Sequence, residues 1–181
     1  MVVAFEFACP YCRMAWDTVD KLGTKYGKDL RVVYKQLVVH PDRATAPAFA
    51  SCAAAKQNKW RTLADLMWQK AFEASNFAPE NIEAIAKEAK LDIKRYRADV
   101  ETCIAEVTDD GTQMKKLAVN ATPTFFINGR VVEGAKPKAD FEKLIDEEAA
   151  KADAAIKAGT PGDKIYEQEV LAKGITEEPT P

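Results

Sequence analysis

The stretch FACPYCRMAW, residues 7–16, holds two of the four cysteines of the chain. Cys9 and Cys12 are three positions apart, so on a helix that begins at Pro10 they lie on the same face. Proline suits the first helical position, because the amide that it lacks would have no partner there. Such a pair can be half of a metal site, a structural pair or a redox couple, and the rest of the sequence has to decide between them.

Strands are predicted on both sides of this helix. Residues 2–8 (VVAFEFA) are short, apolar and partly β-branched, which is typical of a buried strand. Residues 30–39 (LRVVYKQLVV) predict a second strand, which the HPD sequence at 40–42 ends because proline cannot continue a ladder. His40 is interpreted as a turn or helix-start residue.

Residues 43–118 are predicted to be mostly helical. Pro47 could open one helix and Pro79 another, because both would then occupy a first helical turn. Between them, the residues from Trp60 to Phe72 follow the i, i+3, i+4, i+7 spacing of an amphipathic helix. The aromatic residues of this block are interpreted as core.

The spacing of apolar residues changes from a helical to a strand-like pattern at TPTFFINGRVVE, residues 122–133. TFFI and RVV predict two strands, and Asn128-Gly129 between them favours a tight hairpin because both turn positions need positive φ. A helix is expected from about residue 137 and is interrupted by GTPGD at 159–163. A last short helix and a linker-like tail, EEPTP, are expected after it.

The order strand, helix, strand, helical block, hairpin, helix predicts an α/β fold with a helical insertion. The chain has 181 residues with 26 basic and 28 acidic side chains, so it offers no strong basic character and nucleic acid is not an expected partner. No apolar run reaches the roughly 18 residues of a membrane span. The start shows no secretory signal, and we expect a chain that was trimmed there. A tetrahedral zinc site needs four ligands, and no second CxxC is present, so no metal is predicted.

A redox couple explains the first motif best. Cys9 would cap the helix that begins at Pro10, and the partial positive charge of a helix N-terminus favours a thiolate. The pKa of Cys9 should therefore fall below that of a free thiol. Cys9 would then be the attacking sulfur and Cys12 the resolving one.

CPYC after a first strand, together with ATPTFFINGR at 121–130, resembles the DsbA-like bacterial thiol–disulfide oxidoreductases of the thioredoxin superfamily. The resemblance implies a thioredoxin fold with an inserted all-helical subdomain. It places the thioredoxin-fold core at 1–42 and 119–148 and the inserted subdomain at 43–118. Residues 149–181 would form a C-terminal helical extension and a flexible tail.

The same resemblance implies the roles of the site residues. Cys9 matches the nucleophile and Cys12 the resolving cysteine, while Pro123 matches a cis-proline beside the disulfide and Thr122 a residue that helps to bind peptide substrate. Pro10 and Tyr11, between the cysteines, would adjust the reduction potential. Many members have a carboxylate six residues before the first cysteine; here that position is Val3, and the nearest acid is Glu6.

The other two cysteines, Cys52 and Cys103, fall on apolar faces of predicted helices in the inserted block. They could be buried free thiols, a common fate of cysteine. They could also form a structural disulfide, which some DsbA-like proteins carry in the helical domain. We favour the disulfide, because the resemblance implies an oxidising compartment.

The sequence therefore predicts an enzyme that exchanges disulfides with cysteine-containing polypeptides through Cys9, in a direction that the sequence leaves open. No organic cofactor or metal is expected. The resemblance implies a periplasmic or otherwise extracytoplasmic location and a membrane redox partner. Two alternatives remain: a peptide-binding, chaperone-like module of a larger surface protein, and a glutathione-dependent enzyme similar to glutaredoxins or kappa-class transferases.

Overall fold

A computed structural model describes residues 1–173 of the chain. Its strands β1 (Val2–Phe5), β2 (Val33–Gln36), β3 (Thr124–Ile127) and β4 (Arg130–Glu133) form one sheet in the order β2-β1-β3-β4. Strand β1 is parallel to β2 and antiparallel to β3, and β3 is antiparallel to β4. The sheet is therefore mixed, with β1 at its centre and β2 at one edge.

The hairpin predicted at Asn128-Gly129 is confirmed. The two residues have φ angles of 44° and 89°, and Ile127 pairs with Arg130 across the turn. Asparagine and glycine tolerate this left-handed region better than other residues do, so this dipeptide fixes the register of β3 against β4.

The first two strands are shorter than predicted. Strand β1 ends at Phe5 because the chain turns there toward the first helix, and β2 ends at Gln36 because the following loop leaves the sheet. The apolar residues beyond these ends, such as Phe7 and Leu37, are buried all the same. A run of apolar residues indicates that a segment is buried, not that it pairs with another strand. Here the apolar residues continue beyond the last paired residues into loops that are also buried.

Residues 1–173 contain six α-helices, which pack on the sheet and on one another. They are α1 (Pro10–Tyr26), α2 (Pro41–Lys56), α3 (Trp60–Leu66), α4 (Pro79–Glu88), α5 (Ile93–Lys116) and α6 (Lys138–Lys157). Helices α2 to α5 lie between β2 and β3 in the chain and form the helical insertion. The predicted fold class is thus confirmed, while the exact subdomain boundaries remain a prediction.

Helix α2 corrects the prediction that Pro47 opens a helix. The helix begins at Pro41, with His40 at the N-cap position, and Pro47 lies in its interior. An interior proline removes one helical hydrogen bond, which is normally unfavourable. Pro47 is fully buried, so its ring contributes to the core where a polar or exposed residue could not.

The amphipathic stretch from Trp60 is also not one regular helix. Helix α3 ends at Leu66 and continues as a wider π-helical turn over Met67–Phe72. The apolar face nevertheless stays buried through the change, since Met67, Trp68 and Ala71 are all inaccessible. The spacing of apolar residues predicted the buried face correctly but could not reveal the change in helical pitch.

The main core lies between the sheet, α1 and the insertion. Aromatic rings connect these parts: Trp16 of α1 contacts Tyr34 of β2, Trp60 and Trp68, and Trp68 contacts Phe7. A smaller cluster covers the other face of the sheet and consists of Ala4, Leu37, Met114 and Val119. The interpretation of the aromatic residues as core therefore holds.

After α6 the chain makes a short 3-10 helix at Gly162–Lys164 and a π-helical turn at Tyr166–Leu171, in which no residue is buried. The EEPTP sequence that we interpreted as a tail lies outside the described residues. Among residues 1–173, no helix combines the length and the apolar character needed to cross a membrane.

Candidate active site

The CPYC motif lies where β1 leads into α1. Cys9 occupies the N-cap position of α1 with extended backbone angles, and Pro10 begins the helix. Cys12 follows within the first turn. Both sulfurs are free thiols in this structure, and the two residues are only 4% and 3% exposed.

A distant loop completes the site. The peptide bond between Thr122 and Pro123 is cis, and it immediately precedes β3. The sulfur of Cys9 lies 3.2 Å from the carbonyl oxygen of Thr122, to which it donates a hydrogen bond when it is protonated. The strand order places β3 beside β1, so residues 113 positions apart in the sequence meet at the carboxyl end of β1.

The surroundings lower the pKa of Cys9 to about 6. The largest cause is a hydrogen bond from the thiol of Cys12, which stabilises the Cys9 thiolate. Burial opposes this effect, and the side chain of Thr122 and the backbone at Cys12 and Tyr11 add further stabilisation. The backbone contributions are those expected at a helix N-terminus.

The second thiol behaves in the opposite way. Burial raises the pKa of Cys12 far above its ordinary value, and the neighbouring Cys9 thiolate raises it further. At neutral pH the pair therefore holds one thiolate, Cys9, and one proton, on Cys12. This is the asymmetry that a nucleophile and a resolving thiol need.

Apolar side chains surround Cys12 on its inner side. A cavity of about 10 Å³ there is lined by Val3, Phe5 and Pro123 among others, so Val3 occupies the place where many relatives are expected to carry an acid. On the outer side, Tyr11 and Met14 are exposed beside the cysteines. The two cysteines thus lie against an apolar interior, next to two large exposed side chains.

The sequence named Glu6 only as the acid nearest to Cys9 and did not predict the partners of its side chain. Its side chain is fully buried, and its carboxylate accepts hydrogen bonds from the amides of Val39 (2.7 Å) and His40 (3.0 Å) and pairs with Nδ1 of His40. The carboxylate therefore binds the loop between β2 and α2. No spacing rule links Glu6 to residues more than thirty positions later, although a charge inside a predicted buried strand was a signal that it needed a partner.

The other two cysteines form a disulfide that joins α2 to α5. Cys52 and Cys103 lie 51 residues apart in sequence, with their Cα atoms 5.9 Å apart. Glu106 lies close enough to make a three-ligand cluster with them. Because each sulfur is bonded to the other, neither offers a thiolate to a metal ion.

Curated proteins similar to this chain carry the name Na(+)/H(+) antiporter NhaA. The protein from Herminiimonas arsenicoxydans is 33% identical over 137 residues, which are 75% of this chain and 21% of that protein. The NhaA 1 protein from Mycolicibacterium vanbaalenii is 32% identical over 135 residues, 68% of this chain and 21% of that protein. The chain thus spans about a fifth of the length of these relatives.

Solved structures share the fold over most of the chain. A thioredoxin-like oxidoreductase from Silicibacter pomeroyi has a TM-score of 0.71 at 25% identity, covering 82% of this chain and 85% of that one. Proteus mirabilis ScsC in a compact conformation has a TM-score of 0.71 at 20% identity, covering 83% and 82%. A probable DsbA oxidoreductase from Streptomyces coelicolor has a TM-score of 0.70 at 16% identity, covering 81% and 88%.

The family model described as thioredoxin matches residues 1–147, from β1 into α6. This match covers both the CPYC motif and the loop with the cis bond. The expectation of a DsbA-like member of this superfamily is confirmed. The chain therefore belongs to the thioredoxin family, and it has the DsbA-like form of the fold, in which a helical subdomain is inserted.

Proposed function

We propose that the chain catalyses thiol–disulfide exchange with cysteines of polypeptides and that Cys9 is its nucleophile. The observation that carries this proposal is the asymmetry of the two thiols. The pKa of Cys9 is lowered to about 6, while that of Cys12 is raised by burial. A thiolate at neutral pH next to a protonated partner is the chemical requirement for forming and resolving a mixed disulfide.

The chemistry balances without any cofactor. In the oxidised protein, a substrate thiolate attacks the sulfur of Cys9, the bond between Cys9 and Cys12 breaks, and Cys12 leaves and takes up a proton. The second thiolate of the substrate then attacks the substrate sulfur that is bonded to Cys9, and Cys9 leaves as a thiolate. The substrate has lost two electrons to the cysteine pair, and the reverse sequence reduces a substrate disulfide.

The leaving step favours Cys9 as the site of the mixed disulfide. A thiol with a lower pKa leaves faster, so the Cys9 sulfur is a good leaving group when the mixed disulfide resolves. We assign Thr122 and Pro123 to substrate binding, since the carbonyl of Thr122 lies 3.2 Å from the Cys9 sulfur and its loop borders the site. Tyr11, exposed between the cysteines, would contact the substrate peptide.

The partners follow from the same proposal. The substrates are cysteine-containing polypeptides, and a membrane redox partner would restore the oxidised or the reduced form of the pair. We propose an extracytoplasmic, periplasmic location, because a similar structure is titled a periplasmic thioredoxin-like protein from Salmonella enterica. The bonded Cys52 and Cys103 support such a location, since disulfides persist in oxidising compartments.

Trapping of the mixed disulfide tests the proposal. The Cys12→Ser variant, reduced and mixed with a peptide that carries one internal disulfide, should accumulate a one-to-one covalent adduct at Cys9 in the intact mass. The matched Cys9→Ser variant should give no adduct. An adduct of equal yield in both variants, or none in either, would contradict the assignment of Cys9 as the nucleophile.

A second candidate is a binding unit of a larger membrane transport protein. It is favoured by the similarity of this chain to about a fifth of proteins that carry an antiporter name. In this case a cysteine-free peptide should bind at the Thr122 loop. The Cys9→Ser substitution should then change neither the affinity for this peptide nor the activity of the larger protein. If Cys9→Ser abolished the activity of the larger protein while the peptide still bound, the result would favour the redox function instead.

A further inference from the structure

Glu6 is a buried acidic residue to which the proposed redox chemistry gives no role. It lies three positions before Cys9 in the sequence, directly after the end of β1 at Phe5. Its side chain is fully inaccessible to solvent. Because a carboxylate is costly to bury without partners, the contacts of Glu6 indicate what this residue does.

The carboxylate of Glu6 is held by the loop that precedes α2. Its Oε2 accepts hydrogen bonds from the amide of Val39 at 2.7 Å and from the amide of His40 at 3.0 Å. Its Oε1 pairs with Nδ1 of the His40 ring. Hydrogen bonds to an ionised acceptor are stronger than those between neutral groups, so these contacts fix the position of Glu6 at the end of β1.

The backbone of the same residue reaches the redox pair, because the amide of Glu6 donates a hydrogen bond to the sulfur of Cys12. Burial and the neighbouring Cys9 raise the pKa of Cys12, whereas this amide and the side chain of Thr122 lower it. The amide of Glu6 is therefore a donor aimed at the sulfur that carries negative charge when the bond between the two cysteines breaks.

The opening of the disulfide places charge on this buried sulfur. The thiolate of the substrate forms a bond to Cys9, the bond from Cys9 to Cys12 breaks, and the electron pair of that bond stays on Cys12. The apolar surroundings disfavour the charge until a proton arrives. A backbone amide that already points at the sulfur stabilises the charge without reorganisation, as the donors of an oxyanion hole do. In the reverse direction the same amide stabilises the Cys12 thiolate that attacks the mixed disulfide.

We propose that Glu6 is a positioning residue for disulfide exchange: its carboxylate, anchored at Val39 and His40, holds its own backbone amide against the sulfur of Cys12. The inference rests on the function proposed for Cys9 and adds a group that acts on the leaving sulfur. It differs in sign from an electrostatic role. A negative charge beside a thiolate opposes it, so the charge of Glu6 alone would slow the opening step, whereas the positioned amide accelerates it.

The test measures how fast dithiothreitol opens the oxidised Cys9–Cys12 pair of the full chain at a fixed pH. The second thiol of this reagent resolves the mixed disulfide intramolecularly, so the observed rate is that of the opening step. Acid quenching, alkylation and mass analysis of the peptide that contains both cysteines give this rate. In Glu6→Ala it should fall about tenfold, less than the effect of deleting an oxyanion-hole donor. In Glu6→Gln, which keeps an acceptor for the loop amides, it should fall about threefold or less.

Leu63→Ala is the matched control for a loss of stability alone. Leu63 is fully buried and belongs to α3 in the insertion, so its truncation destabilises the fold without removing a group of the redox pair. Its opening rate should equal that of the wild type. Slowing by Leu63→Ala as large as that by Glu6→Ala would overturn the proposal, and so would faster opening in either Glu6 variant.

A second measurement does not depend on the Glu6 variants. In ¹H–¹⁵N spectra of the reduced protein, Cys12→Ala should shift the amide of Glu6 upfield in the proton dimension and quicken its hydrogen exchange, whereas Cys9→Ala should change this exchange much less. An unchanged Glu6 amide in Cys12→Ala would overturn the proposal. Equal opening rates in the wild type and Glu6→Ala would overturn the role of Glu6 alone. A wild-type pair that dithiothreitol does not open would overturn the proposed function as well.

Discussion

The pKa values of the two thiols in the motif are shifted in opposite directions, because each thiol occupies a different position relative to the helix and the core. The sequence led us to expect a lowered pKa for Cys9 from the N-terminus of α1 alone. In the structure the largest contribution is a hydrogen bond from Cys12, and the backbone at the helix start adds less. The direction was predictable from sequence because it follows from helix geometry. The larger cause was not, because it depends on the orientation of two side chains.

Replacing Cys12 should therefore change the titration of Cys9. In Cys12→Ala the donor is lost, and the pKa of Cys9 should rise from about 6 toward its ordinary value of 9.0. In Cys12→Ser a hydroxyl donor remains, and the pKa should rise less. Ultraviolet thiolate absorbance as a function of pH measures both variants. An equal shift in the two would mean that the hydrogen bond is not the dominant cause.

Glu6 shows how a buried charge can serve the structure near a reactive site. Glu6→Ala should lower the free energy of unfolding by about 3 kcal/mol, because the amides of Val39 and His40 lose a charged acceptor that the protein cannot replace. Glu6→Gln keeps an acceptor oxygen and should cost less than half as much. Chemical denaturation of the reduced proteins checks this. If alanine and glutamine cost the same, the hydrogen bonds to the loop are not what Glu6 contributes.

At the scale of elements, local sequence signals predicted best where they act alone. Asn128-Gly129 specified a hairpin because positive φ is a local requirement. Prolines were ambiguous: Pro10 and Pro79 begin helices, whereas Pro47, with a similar local context, lies inside one. The difference is that α2 begins earlier, at Pro41. The burial of Pro47 in the core then stabilises a helix that continues through it.

Helix α5 begins with a cap that can be tested in isolation. The side chain of Asp92 accepts a hydrogen bond from the amide of Arg95 at 3.0 Å. Asp92→Ala should reduce the free energy of unfolding by about 1 kcal/mol, and Asp92→Ser, another good N-cap, by only a few tenths. Urea denaturation distinguishes these values. A loss as large for serine as for alanine would mean that the carboxylate acts through something other than capping.

At the scale of the whole molecule, the site is made by contacts that only the fold creates. The order of elements and the two motifs were enough to predict the thioredoxin fold with its insertion. They could not show that Thr122 would meet Cys9 through its carbonyl, or that β2 would leave a groove at the sheet edge. Both arise from how strands neighbour one another in space, which periodicity within a segment does not encode.

The disulfide of the insertion connects two helices that are distant in sequence, and its loss should destabilise the protein. A closed loop of 51 residues corresponds to about 4 kcal/mol in the chain-entropy description, since the cross-link mainly restricts the unfolded chain. The double variant Cys52→Ala, Cys103→Ala should show this loss in chemical denaturation. Both proteins should also carry Cys9→Ala and Cys12→Ala, so that no thiol exchanges. A loss below about 1 kcal/mol would contradict the prediction.

The most direct test of the central claim is the pH dependence of alkylation in the reduced wild-type protein. Iodoacetamide should modify one cysteine, Cys9, with a rate that reaches half its maximum near pH 6, because the thiolate is the reacting form and the pKa of Cys9 is about 6. Below this pH the rate should fall as the thiolate is protonated, while Cys12 stays unmodified throughout. Preferential modification of Cys12, or a midpoint for Cys9 near its ordinary pKa of 9.0, would contradict the assignment of Cys9 as the activated nucleophile.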